Sequence, residues 1–237
     1  MNHDILPRRS FLGMTGSLVV GFALPFIPHH SFAAEKKESE NQEAEVNPVE
    51  DLMREHGVLR RILLIYEEAL RQIEGGKEIP SGVIEDSAGI IRRFIEDYHE
   101  KLEEDELFPR FEKAGKLVDL VKVLYFQHQA GRRLTDRILE SAKTEKLTSS
   151  NDKAQFSSSV KEFINMYRPH AAREDTVLFP AFRTIVPPKE FDELGDRFED
   201  KEQELFGKEG FEKMVGKVAE IEKKLGIYDL SQFTPKA

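Results

Sequence analysis

HEKLEEDELFPRF at residues 99–111 returns as HAAREDTVLFPAF at residues 170–182, with His, Glu, Leu-Phe-Pro and Phe at the same internal positions. Each copy holds a histidine and a glutamate four residues apart, His99 with Glu103 and His170 with Glu174. On an α-helix that spacing puts both side chains on one face, one turn from each other. Upstream, a lone His56 followed by Arg60-Arg61 is matched by His128 followed by Arg132-Arg133. The repeat distance of 71 to 72 residues leaves room for two helices per copy, so the sequence is an internal duplication of a helical hairpin. Two such hairpins close into an all-α, up-down four-helix bundle with approximate two-fold symmetry.

The apolar pattern agrees. After Asn47, a good cap, Pro48 suits a first helical position, and Leu52, His56, Leu59, Leu63, Tyr66, Leu70 and Ile73 draw one inward stripe that stops at Gly75-Gly76. A second stripe from about Ser81 carries Ile84, Ala88, Ile91, Ile95, Tyr98, His99, Leu102 and Glu103, and Pro109 is expected to end it. The third, from about Lys116 to Thr144, holds Leu117, Val121, Leu124, His128, Gly131, Thr135 and Ile138. The fourth holds Phe156, Val160, Phe163, Tyr167, His170, Glu174 and Leu178. Pro169 interrupts this last pattern where the first copy has Tyr98, which predicts a kink or a break just before His170. Beyond Pro187-Pro188, Phe191, Leu194, Phe198 and Leu205 mark one short amphipathic helix, and Phe211, Met214, Val218, Ile221 and Leu225 mark another. The pair is expected either to cover the bundle or to offer a partner surface.

Each of the four stripes contains a histidine. A single histidine on an apolar stripe is ordinarily a hydrogen-bonded core residue, and a single His-x3-Glu pair an exposed ion pair. Here His3, His29 and His30 lie near the N-terminus, and all four of the others fall at repeat positions inside a core stripe. Burying four imidazoles and two carboxylates together without a cation is costly. His56, His99, Glu103, His128, His170 and Glu174 are therefore candidate metal ligands. Bridging by the two glutamates would hold two ions roughly 3.5 Å apart, the separation of two-metal sites. Imidazole with carboxylate suits iron, with manganese and zinc as alternatives.

Totals narrow the function classes. No cysteine is present, which excludes disulfides, thiolate zinc sites, iron–sulfur clusters and thiol catalysis. The net charge of −9, with no clustered lysines and arginines, argues against nucleic acid. Tyr66, Tyr98, Tyr125 and Tyr167 are candidate donors beside the metal, with plain core packing as the other reading. Arg60-Arg61, Arg92-Arg93 and Arg132-Arg133 read as solvated helix faces.

The N-terminal segment reads as an address. Arg8-Arg9 precede Ser10-Phe11-Leu12 and an apolar run to Ile27, and Ser31-Phe32-Ala33 offers small residues for cleavage after Ala33. The run is broken by Gly13, Gly16, Gly21, Pro25 and Pro28, which makes an export signal a better reading than a membrane anchor. It resembles a twin-arginine signal, a route that carries proteins already folded, often with a cofactor in place. Residues 34–47 are polar, charged and aperiodic, a disordered tether.

The lone histidine followed by HxxxE, used twice, resembles the hemerythrin-like HHE cation-binding domains over about residues 47–185. That resemblance implies a non-haem di-iron centre that binds dioxygen, with His56, His99 and Glu103 from one half and His128, His170 and Glu174 from the other. Oxygen-carrying members have a further histidine four positions after the third-helix ligand, where this chain has Arg132. Asp175 takes the place of their terminal aspartate and Glu100 adjoins His99; either is a candidate for a further oxygen ligand. The expectation is a periplasmic or otherwise extracytoplasmic di-iron bundle over 48–185 with a helical extension over 186–237. It would bind or sense dioxygen, nitric oxide or peroxide, and touch the membrane only through its signal before cleavage. The alternatives are a redox enzyme that oxidises ferrous iron or decomposes peroxide, and a structural role for zinc.

Overall fold

The computed structural model describes residues 47–80, 82–142 and 149–235. The expected export signal and its tether, up to residue 46, lie outside the described residues. Helix α1 (Pro48–Glu74) starts where the Asn47 side chain accepts the Glu50 backbone N–H at 3.0 Å, with Pro48 in the first turn and Glu50 and Asp51 at the positive end of the dipole. It ends at Gly75-Gly76, the second in the left-handed region at φ 70°. Helix α2 covers residues 83–114, and α3 is Val118–Ala142. Helix α4 covers residues 150–182 and is capped by Ser149, whose hydroxyl accepts the Asp152 N–H at 3.1 Å. Among the described residues no strand forms, and no helix is long and apolar enough to cross a membrane.

Two of these helices are not uniform. In α2, π-helical segments at Ile91–His99 and Glu103–Leu107 interrupt the α-helix, and α4 has one at Glu174–Leu178. The expected stop at Pro109 does not occur: α2 runs on to Ala114 and ends at Gly115, left-handed at φ 63°. A π turn bonds i to i+5 and accommodates an extra residue. Pro109 then falls in the first turn of the fresh α-helical stretch Phe108–Ala114, where a missing N–H is harmless. Pro180 repeats this in Phe179–Phe182. Pro169, in contrast, lies within the continuous stretch Ser150–Arg173 and leaves it unbroken. Its position is exposed, so water can reach the carbonyl one turn earlier that has lost its N–H partner.

The four helices close a ring in which α1 packs on α2, α2 on α3, α3 on α4 and α4 back on α1. The stripes face inward: Leu52, Leu59, Tyr66, Ile91, Ile95, Leu124, Ile138, Phe156, Val160 and Phe163 are all buried. Helices α5 (Pro188–Phe206) and α6 (Gly210–Leu225) fold back as a cover over α1, and α6 also reaches α2. Phe191, Leu194, Phe198, Met214, Val218, Ile221 and Leu225 are buried in this seam. Leu205, expected on the same stripe, is 46% exposed. Phe206 takes the inward place instead, its ring 5.5 Å from those of both Phe94 and Tyr98. Arg61 clamps the cover bidentately, 2.9 and 2.5 Å from the two carboxylate oxygens of Glu222.

Candidate metal centre

Every helix of the bundle delivers a ligand-type side chain to one point. His56 comes from α1, His99 and Glu103 from α2, His128 from α3, and His170 and Glu174 from α4, and none is more than 3% exposed. The structure brings together all six residues singled out from the sequence. One atom from each of Glu103, His128, His170 and Glu174 lies within 4.8 Å of the others, and the same holds for His56, His99 and Glu103. Glu174 Oε2 is 3.0 Å from His170 Nε2 and 3.3 Å from His56 Nε2. Glu103 Oε2 is 3.4 Å from His128 Nε2 and 3.7 Å from His99 Nε2. Each glutamate thus reaches a histidine of both halves.

The other ring nitrogens are all engaged. His56 Nδ1 lies 2.7 Å from Asp175 Oδ1, His99 Nδ1 2.8 Å from Glu55 Oε2, His128 Nδ1 3.2 Å from Glu104 Oε1 and His170 Nδ1 2.9 Å from Gln127 Oε1. Each acceptor defines the tautomer: Nδ1 donates, and the Nε2 lone pair is aimed at the interior. His56 Nε2 and His99 Nε2 then face each other at 3.1 Å. Both oxygens of Glu103 and of Glu174, with His128 Nε2, are buried and make no hydrogen bond of acceptable angle, despite the short distances above. Proximity without hydrogen-bond geometry is what converging lone pairs produce. Such a constellation fits a divalent cation, and it is expensive without one.

Protons can carry part of the cation's role. Burial would lower His56, but Asp175 and Glu174 raise it to about 9. His99 falls well below the usual range through burial and the neighbouring His56. Burial and the charge of Glu174 push Glu103 up to about 8. Burial opposes ionisation of Glu174 as well, but His170 beside it holds the group well below the carboxylate range. One glutamate takes a proton and the other keeps its charge, as two carboxylates in one site must.

Around this cluster lies a layer that sequence reasoning reached only in part. Asp175 and Glu100, considered as extra oxygen ligands, have other partners: Asp175 orients His56 and pairs with Arg60, and Glu100 accepts the Tyr167 hydroxyl at 2.6 Å. Arg132, at the position of the missing fifth histidine, is not on a solvated face. It reaches Glu104 at 2.7 Å and Glu100 at 2.9 Å, and with His128 it holds Glu104 down at about 2 against the effect of burial. Arg60, Arg61 and Arg92 are likewise paired with acids. Of the tyrosines, Tyr167 alone lies beside a candidate ligand, its ring edge-on to His170 at 5.4 Å; Tyr66 and Tyr98 are core and Tyr125 is 44% exposed. Gly131 on α3 makes room for Tyr167, because a Cβ there would lie 1.9 Å from the phenol oxygen. Glu55, Glu104 and Gln127 were missed. A signal existed, since Glu55-His56 pairs with Gln127-His128 and Glu103-Glu104 with Glu174-Asp175 across the repeat.

Comparison with known proteins follows the same lines. The profile of the hemerythrin HHE cation binding domain matches residues 47–182. Proteins described only as uncharacterized, from Mycobacterium bovis and two strains of Mycobacterium tuberculosis, are each 51% identical over 194 residues, 82% of this chain and 76% of theirs. No solved structure matches the chain.

Proposed function

Because the chain belongs to the hemerythrin HHE cation-binding family, we propose that its four histidines and two glutamates hold a non-haem di-iron centre that binds or senses a small ligand, dioxygen or nitric oxide. The observation that carries this reading is the set of buried, unbonded oxygens of Glu103 and Glu174 between four imidazoles whose outer nitrogens are all tied. His56 and His99 would hold one ion and His128 and His170 the other, with both glutamates shared. Two imidazoles and two carboxylate bridges per ion leave coordination positions open, as small-ligand sites on non-haem iron require. The iron supplies the redox-active, ligand-binding electrons; the protein supplies a dry, preorganised cage. The arginine pair at Arg8-Arg9 and the apolar run after it support export to the periplasm, with the metal loaded before translocation.

Elemental analysis of purified protein should find two iron atoms per chain. The iron form should show visible charge-transfer bands that change with oxygen or nitric oxide and reverse on removal. No optical response to either gas would overturn the ligand-binding reading, and one zinc per chain would point to a structural site. A redox alternative, ferrous iron oxidation or peroxide decomposition, draws on Tyr167, an oxidisable phenol beside His170. Multiple turnovers of peroxide that vanish in Glu103→Ala would favour it.

A further inference from the structure

The duplication surrounds each imidazole with equivalent groups, and one equivalence is broken in charge. His56 and His128 are both backed by carboxylates, Asp175 and Glu104, each gripped by the arginine four residues after the histidine, Arg60 and Arg132. His99 and His170 are backed by the residue just before the lone histidine of their own half. For His99 this is Glu55, a buried carboxylate at 2.8 Å; for His170 it is Gln127, a neutral amide at 2.9 Å. A carboxylate that accepts Nδ1–H draws the proton toward itself and makes Nε2 a stronger donor to a cation. An amide carbonyl does this more weakly.

A second observation separates the halves in the same sense. Helices α5 and α6 cover α1 and α2, the source of His56 and His99. Away from that cover, between α2 and α3, a cavity of about 250 Å³ is lined by Glu104, Phe108, Val121, Tyr125 and Phe126 among others. Two of its walls touch His128: Phe108 stacks on the imidazole at 5.5 Å, and Glu104 accepts from it at 3.2 Å.

We infer that the two metal positions are unequal, with a tight one at His56 and His99, backed by Glu55, and an exchangeable one at His128 and His170, backed by Gln127. The inference rests on the two-metal reading above. Glu55 and Gln127 are positioning residues; neither is placed on the metal.

Metal-stripped protein titrated with Co2+, followed by visible absorption and native mass spectrometry, tests it. The wild type should load in two steps at least roughly tenfold apart in affinity, with a one-metal species dominant at one equivalent, and a chelator should remove one ion faster than the other. Glu55→Gln should merge the steps by weakening the first roughly 10- to 100-fold, and Gln127→Glu should merge them by tightening the second. The two variants reach the same end from opposite directions, which a general loss of folding would not imitate. Two equal steps in the wild type, or unchanged steps in both variants, would overturn the inequality and leave the two-metal reading intact. Saturation at one ion, or none, would overturn that reading itself.

Discussion

In α3 the substitution Gly131→Ala places a methyl carbon 1.9 Å from the Tyr167 hydroxyl oxygen and 2.7 and 2.9 Å from ring carbons Cζ and Cε2. The ring cannot yield outward, because Tyr167 is buried between Phe163 at 4.3 Å and His170 at 5.4 Å. Overpacking of this kind costs about 1–3 kcal/mol. Displacing the phenol also removes its hydrogen bond to Glu100 and leaves a buried carboxylate short of a donor, about 1.5–3 kcal/mol more. Against this, replacing glycine by alanine inside a helix gains about 1 kcal/mol. The net expectation is a loss of about 2–4 kcal/mol. Gly57, at the corresponding point of α1, has nothing within 4 Å of its Cβ position, so Gly57→Ala should gain about 1 kcal/mol. Urea unfolding followed by circular dichroism reads both, and each kcal/mol corresponds to about 2–4 °C in a thermal melt of a chain this size. Tyr167→Phe in the Gly131→Ala background should recover part of the loss, since it removes the atom in closest conflict. If Gly131→Ala stabilises the protein as Gly57→Ala does, the account of how Tyr167 is held against His170 is wrong.

Two further expectations concern the charged layer. Burial and the charge of Glu100 raise Glu96 to about 7, against Thr135 and Arg92, which lower it. A carboxyl raised in the folded state contributes stability that is complete below its unfolded value near 4.5 and is lost as pH rises through 7, about 3 kcal/mol over the window. Glu96→Gln should therefore gain stability relative to wild type between pH 5 and pH 8, and parallel pH–stability curves would contradict this. Arg132→Met removes the cation that Glu100 and Glu104 share and should destabilise by about 3 kcal/mol or more by urea unfolding at pH 7. A cost below 1 kcal/mol would mean that water, not Arg132, neutralises these acids.

Much of the bundle was legible because apolar stripes and His-x3-Glu pairs are periodic features, and periodicity is what a helix converts directly into a face. His56, His99, Glu103, His128, His170 and Glu174 could be read for that reason. The π turns were not, since a change from i+4 to i+5 bonding alters the backbone without a side-chain signature, and Pro109 consequently read as a stop. The Nδ1 partners were hidden differently. Asp175 and Glu104 act on histidines of other helices, and side-chain direction across a helix–helix contact is not carried by sequence spacing. Leu205 and Phe206 show the smallest version of the problem: one residue of register at a helix end decides which side chain enters the seam.

The π turns at Glu103–Leu107 and Glu174–Leu178 amount to a residue inserted into each helix just past its metal-facing glutamate. Deleting one residue from either segment would restore an ordinary α-helix and swing everything after it by about 100°. Phe108 would leave the His128 ring and Phe111 the ring of Phe182; in the second copy Phe179 would leave His56. No substitution need be involved. At these two places the protein specifies the number of residues rather than their kind, so a one-codon deletion there should be more damaging than most replacements of the residues themselves.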